Sequence, residues 1–291
     1  MKKQAMTVLL VLALLLSACG GTAAPLETAD PYAGMVQVES GYGMKMWVNE
    51  LEDVPKNDLT PEDFSAAGRY IGSAYTVTRG VDVSEHQGEI DWAAAAQDID
   101  FAIIRVGYRG YGQAGVLKYD AYAQENLDGA FRNGLDVGVY FFSQATTVEE
   151  AEEEADFLLE LLKGYRPEAF ALPIFFDWED IAHDTARTDG LDGETITACA
   201  LAFCRRIAEA GYRSGIYAYR YLAYFSYDLS QMTDLALWIG AIGDYPDFYY
   251  AHEIWQYSAA GSIHGITGSV DLDLRFQAKQ TGVTPGAEEG E

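Results

Sequence analysis

Two acids two residues apart, Asp177 and Glu179, close an otherwise apolar run, Leu172-Pro173-Ile174-Phe175-Phe176. The run reads as a buried strand, and residues i and i+2 of a strand share a face. Asp177 and Glu179 therefore point the same way and Trp178 the other. Two carboxylates side by side repel, and burial penalises ionisation further, so one of them is expected to keep its proton near neutral pH. A proton donor beside an anion is what acid-catalysed cleavage of a glycosidic bond requires. The plain alternative is a strand end whose two acids are solvated.

Other strand ends carry polar or aromatic residues of the same kind. Asp82 and Ser84 share a face in Gly80-Val81-Asp82-Val83-Ser84, with His86 and Gln87 just beyond. Tyr108, Tyr140 and Ser143, then Tyr217 and Tyr219, then Trp255-Gln256-Tyr257, then Asp271 and Asp273 follow in order. Acids and aromatics converging on one barrel mouth suit a carbohydrate: aromatic faces pack on sugar C–H surfaces while carboxylates and amides fix hydroxyls. Asp82 has a structural alternative, bracing the first turn through Ser84. Tyr108 and Tyr140 have one in rim packing. Trp178 and Trp92 read as core. The histidines lack metal-ligand spacing, and the acidic run 149–154 reads as a solvated helix start, favourable to the dipole.

The elements that must position these residues alternate between strand and helix signals from residue 79 onward, the signature of an α/β fold with a largely parallel sheet. Strands are expected at 80–83, 101–106, 136–142, 172–178, 214–218, 237–241, 254–257 and 270–274. Helices are expected at 119–133, 148–163 and 194–210, each ending before glycine, and Thr147 and Glu150 are spaced as a capping box. The last three strands lack helical periodicity between them. The expectation is a TIM-like barrel of eight strands with about five helices over residues 79–277. Residues 35–78 read as a small β-rich N-terminal subdomain, with a hairpin at 35–48 and a further strand within 69–77, whose simplest use is as an extra layer on the barrel. Residues 278–291, rich in Gly, Pro and Glu, read as a disordered tail.

Composition narrows the partners. With 45 acidic and 19 basic side chains the formal charge is −26, which disfavours nucleic acid and adhesion to anionic polymers by bulk charge. Lys2 and Lys3 precede a short apolar stretch ending in Leu16-Ser17-Ala18-Cys19, which resembles the lipobox of bacterial lipoprotein signal peptides. The resemblance implies a signal peptide over 1–18, lipidation of Cys19, export, and a tether over 19–34 on the outer face of the cytoplasmic membrane. An ordinary secretory signal is the alternative. Cys199 and Cys204, five apart on a helix, point to different faces and are expected to be free.

Gly80-Val81-Asp82-Val83-Ser84-x-x-Gln87-Gly88-x-Ile90-Asp91-Trp92 resembles the opening motif of glycoside hydrolase family 25 lysozymes, the Chalaropsis-type muramidases. Phe176-Asp177-Trp178-Glu179, Gly215-Ile216-Tyr217, Leu237-Trp238-Ile239, Trp255-Gln256-Tyr257-Ser258 and Gly265-x-x-Gly268-x-Val270-Asp271 follow in family order. The resemblance implies cleavage of the β-1,4 bond between N-acetylmuramic acid and N-acetylglucosamine in peptidoglycan glycan strands, by a monomer without cofactor or metal. It implies Glu179 as proton donor and Asp177 as the acid that steadies the 2-acetamido group or the charged transition state. Asp82 and Asp271 become further acids of the cleft, and Tyr108, Tyr140, Tyr217, Trp255 and Gln256 substrate contacts. Two departures stand out: Gly240-Ala241-Ile242 after the Leu-Trp-Ile segment, and Asp273 where asparagine is common. A chitinase-like hydrolase and a catalytically inactive glycan-binding lipoprotein are the rival readings.

Overall fold

The computed structural model describes residues 30–41, 43–65 and 68–279. The expected signal peptide, Cys19, most of the tether and the tail beyond residue 279 lie outside the described residues. Residues 30–33 make a turn closed by Ala33 N donating to Asp30 O (3.1 Å). A second compact unit begins at Gly34. Among the described residues no helix is long and apolar enough to cross a membrane.

The second unit opens with an antiparallel hairpin, β1 (Met35–Glu39) and β2 (Lys45–Asn49). The barrel strands are β3 (Tyr75–Val83), β4 (Phe101–Arg109), β6 (Asp136–Ser143), β7 (Ile174–Trp178), β8 (Ser214–Tyr219), β9 (Ala236–Gly240), β10 (Ile254–Gly261) and β11 (Val270–Ala278). A short β5 (Leu117–Tyr119) lies antiparallel on the end of β4. Neighbours run β3-β11-β10-β9-β8-β7-β6-β4, and β3 pairs with β4 to close the ring. All eight expected strands are present. β11, however, is antiparallel to both β10 and β3, so Asp271 reaches the mouth from the beginning of its strand and not from its C-terminal end.

The period of two decides what each strand buries. Phe175 joins Phe101, Ile103, Tyr140, Tyr217, Trp238 and Ile254 inside the barrel. Phe176 and Trp178 face outward into the larger core. That outer core is covered by α1 (Trp92–Ala95), α2 (Ala123–Arg132), α3 (Val148–Leu162), α4 (Gly193–Glu209) and α5 (Arg220–Phe225). Helix α3 starts where Thr147 Oγ1 accepts from Glu150 N (3.3 Å), and α4 where Asp192 accepts from Thr195 N (2.8 Å), each satisfying an otherwise orphaned donor. The helix expected from residue 119 begins at Ala123 because Tyr119 still belongs to β5. Cys199 and Cys204 are buried and free.

Among the described residues no helix covers the barrel between β9 and β11, yet strands of this kind bury both faces. The N-terminal segment supplies the missing cover. Phe64 packs edge-on against Trp255 at 5.5 Å, against Tyr70 at 5.7 Å and against Phe276 at 6.3 Å. Asn57 Nδ2 donates to Pro246 O (3.1 Å) and Phe248 O (2.9 Å), and Ala251 N donates to Pro55 O (2.8 Å). Val54 and Phe64 belong to the barrel's own outer core. The strand expected within 69–77 is not separate: Tyr75–Val77 are the first residues of β3, paired with β11.

Phe64→Ala is expected to lower stability by ~3–5 kcal/mol, the range for deleting a buried aromatic ring. Urea unfolding followed by fluorescence checks it; a loss below ~1 kcal/mol would mean the segment is not a structural wall of the barrel.

Candidate active site

Asp177 is the last interior residue of β7, and Glu179 follows one residue past the strand's end. The turn carrying Glu179 is fixed from behind. Gln144 Nε2 donates to Glu179 O (3.0 Å) and to Ser143 O (3.0 Å), while Gln144 Oε1 accepts from Thr188 Oγ1 (2.8 Å). The two carboxyl groups lie close enough to perturb each other's ionisation. Burial, then the charge of Glu179, push the Asp177 carboxyl well above its usual range, with Arg105 acting against the shift. Burial also raises Glu179, against hydrogen bonds from Asp177 and Tyr219. Asp177 is the deeper of the two and Glu179 the more accessible. Burial thus raises both carboxyls, and their titration belongs to the pair and not to either residue alone.

A second carboxyl group set lies across the mouth, where β3, β10 and β11 are adjacent. The register sets Asp271 opposite Asp82 and Gln256 opposite Asp273. Gln256 Nε2 donates to Asp82 Oδ2 (2.7 Å), Tyr217 OH donates to Gln256 Oε1 (2.7 Å), and Trp238 Nε1 donates to Asp273 Oδ1 (2.8 Å). Burial raises Asp82 well above its usual range, reinforced by the charges of Asp273 and Asp271 and opposed by Gln256. Burial raises Asp271, and pushes Asp273 up to about 8 against the hydrogen bond it accepts from Trp238. Asp82 does not brace the first turn. Gln87 does so instead, accepting from Ser84 N (2.9 Å).

Asp82, Asp177, Glu179, Asp271, Tyr140, Tyr217 and Gln256 all line one cleft of about 380 Å³. Two expected contacts do not. Trp255 alternates with Gln256 along β10, so its indole points outward, fully buried, and donates to Ala241 O (2.7 Å). Tyr108 does not line the cleft; its ring lies 5.1 Å from the Arg105 guanidinium and supports it. The alternation of β4 slips between Arg105 and Gly107, which makes the facing of Tyr108 illegible from spacing. Arg105 is the residue that sequence reading missed. It is buried, lines the cleft, and its Nε donates to Asp120 Oδ2 (2.7 Å). The signal was available: an arginine inside Phe101-Ala102-Ile103-Ile104-Arg105-Val106 must have an acidic partner if buried. Tyr219, Phe142, Trp238 and His86 also line the cleft. Among the described residues no group of three or more His, Cys, Asp or Glu side chains is close enough to hold a metal ion.

Gly240 has a steric reason. A Cβ there would lie 2.6 Å from Tyr217 OH and 2.9 Å from the Tyr219 ring. The bare backbone leaves room for the tyrosines on the neighbouring strand.

The model of glycosyl hydrolases family 25 matches residues 81–266. An autolytic lysozyme of Clostridium acetobutylicum is 25% identical over 198 residues, covering 67% of this chain and 55% of that protein. Among solved structures, the modular autolysin LytC of Streptococcus pneumoniae, solved with a synthetic peptidoglycan ligand, aligns with a TM-score of 0.59 at 24% identity, covering 83% of this chain and 56% of that one. A family 25 glycosyl hydrolase of Bacillus anthracis aligns with a TM-score of 0.55 at 22% identity over 74% of this chain and 91% of that one. The chain thus spans little more than half the length of the lysozyme and of the autolysin.

The raised Asp273 carboxyl has a sign that can be checked. The unfolded chain releases this proton near pH 4 and the folded protein near 8. The group's contribution is fully present below the lower value and is lost as pH rises toward the upper one. Asp273→Asn removes that dependence. The loss of stability from pH 5 to pH 8 is expected to be larger in wild type, by up to ~1.4 kcal/mol per pH unit. Urea midpoints at both pH values check this; parallel slopes would mean Asp273 is ionised in the folded protein.

Proposed function

Because the chain belongs to glycosyl hydrolases family 25, we propose that it is a peptidoglycan hydrolase, a muramidase cleaving the β-1,4 bond from N-acetylmuramic acid to N-acetylglucosamine. The observation that carries the proposal is the Asp177–Glu179 pair, side by side on the wall of a cleft lined by aromatic rings and both raised by burial. The likeness to an autolytic lysozyme supports it.

Glu179, the more accessible member of the pair, delivers the proton to the glycosidic oxygen. The C1–O bond breaks as that oxygen takes the proton and leaves as a hydroxyl. Positive charge grows on C1 and the ring oxygen. Asp177, once ionised, becomes the nearest full negative charge and stabilises that cation or the 2-acetamido group beside it. Water then adds to C1 and returns a proton to Glu179. Arg105, held by Asp120, limits the upward shift of Asp177 so that it can ionise during the reaction. Asp82 and Asp271, on the opposite wall, serve as hydrogen-bonding groups for sugar hydroxyl and amide donors, with Asp82 fixed by Gln256 and Tyr217. Tyr140 and Tyr219 supply ring surface and hydroxyls to the same space. The chemistry calls on no cofactor.

The Leu16-Ser17-Ala18-Cys19 sequence supports a location on the outer face of a bacterial cytoplasmic membrane, anchored through a lipid on Cys19, where a monomer would trim the adjacent wall. Radiolabelled palmitate incorporation, lost in Cys19→Ser, tests the anchor; unlabelled protein in the medium would refute it.

Glu179→Gln is expected to reduce turnover of purified peptidoglycan by ~10³-fold or more. Mass spectrometry of the digest reads it: reducing N-acetylmuramic acid ends from wild type, absent from the variant. Reducing N-acetylglucosamine ends, or preference for chitin oligomers, would overturn the bond assignment, and a folded wild type that binds glycan without cutting it would make the protein a binding module. The pH profile gives an independent check. Activity falls as pH rises through the upper titration of the pair. Asp177→Asn removes the neighbouring negative charge, so the alkaline limb of kcat/KM is expected to move to lower pH as kcat drops; an unmoved limb would uncouple Asp177 from the proton donor.

A further inference from the structure

Helix α5 is apolar on two sides. Leu222 and Ala223 are buried against the barrel, which is all the contact a short surface helix needs. Tyr221 and Phe225 lie on another side, 41% and 39% exposed, with ring centroids 4.8 Å apart. Tyr219, which immediately precedes this helix, is 43% exposed and lines the same cleft as Glu179. Helix α5 therefore starts at the rim of the cleft, and its exposed rings follow within six residues of Tyr219. Exposed apolar surface gathered in one place marks an interaction site, whereas isolated exposed rings do not.

The hairpin extends the run. Arg220, the first residue of α5, ion-pairs with Glu39 at the end of β1 (3.1 Å) and donates to Asp247 O (3.1 Å), which holds the hairpin beside the helix. Between hairpin and helix lies a groove of about 380 Å³ bordered by Met35 and Trp47 on one side and by Phe225 and Tyr227 on the other. Trp47 is 40% exposed.

We propose that Tyr219, Tyr221, Phe225 and Trp47 form an outer glycan track, on which sugar rings of the substrate strand beyond the two at the cleavage point lay their C–H faces. The ligand class rests on the muramidase reading; the start of α5 at the cleft rim, next to Tyr219, selects the same strand as its occupant. A pyranose presents apolar C–H faces and a polar rim, which suits aromatic planes bordered by water. The track gives the hairpin a use: it forms the far wall of the path. Binding energy gathered there is made equally in ground and transition states, so it lowers KM for long strands without raising kcat.

The test compares polymeric peptidoglycan with a tetrasaccharide of the same repeat. The enzymes are wild type, Tyr221→Ser/Phe225→Ser, Trp47→Ser, and Tyr119→Ser as control. Tyr119 is an exposed ring stacked on Phe157 at 4.0 Å but absent from the cleft lining and the groove. In the double variant the ratio of polymer to tetrasaccharide kcat/KM is expected to fall about tenfold, through KM, with a smaller fall in Trp47→Ser and none in the control. An unchanged ratio with an unchanged melting temperature overturns the track. If wild type cuts neither substrate, the muramidase reading fails, and sedimentation with insoluble peptidoglycan decides the track by itself: weaker capture of the double variant than of wild type and control supports it, and equal capture overturns it.

Discussion

Burying carboxyl groups beside one another opposes folding, and most of the polar architecture at this barrel mouth answers that one constraint. Burial raises Asp177, Glu179, Asp82 and Asp273 alike, so that protonation relieves part of the charge. Gln256 and Trp238 each donate to one acid. Arg105 supplies the buried positive charge and is itself held by Asp120. Each device removes part of the repulsion without removing an acid. A site of this kind is held at the expense of stability, and the surrounding packing must supply the difference.

That packing is divided unevenly around the ring. Helices α2, α3 and α4 brace the half that carries Asp177 and Glu179. The half carrying Gln256, Asp271 and Asp273 is braced by residues 50–65 and 68–74, through Phe64 and Tyr70 on Trp255 and Phe276. The N-terminal segment is thus a working part of the site's support, and an outward-facing tryptophan next to an inward-facing glutamine on β10 is how one strand serves both sides.

The sequence made some of this readable and hid the rest for physical reasons. Period-two alternation gave Asp177 and Glu179 one face and Trp178 the other, because β7 is regular. The same rule, applied without knowing which face was inward, put both Trp255 and Gln256 at the cleft, although neighbours on a strand cannot both point in. The direction of β11 was not legible, since alternation looks the same read from either end. Arg105 was passed over because it sits inside an apolar run, where its partner Asp120 is fifteen positions away across β5. The cover role of residues 50–65 and 68–74 was anticipated only as an extra layer, because turns and isolated bridges carry no periodic signal.

The antiparallel pairing of β11 with β3 has a temporal consequence. This seam joins the strand that opens the barrel to the strand that ends it, and Asp82 and Asp271 face each other across it. Contacts so far apart along the chain form late, after the entropy of closing the intervening loop has been met. One wall of the cleft therefore exists only where the first and last barrel strands are paired.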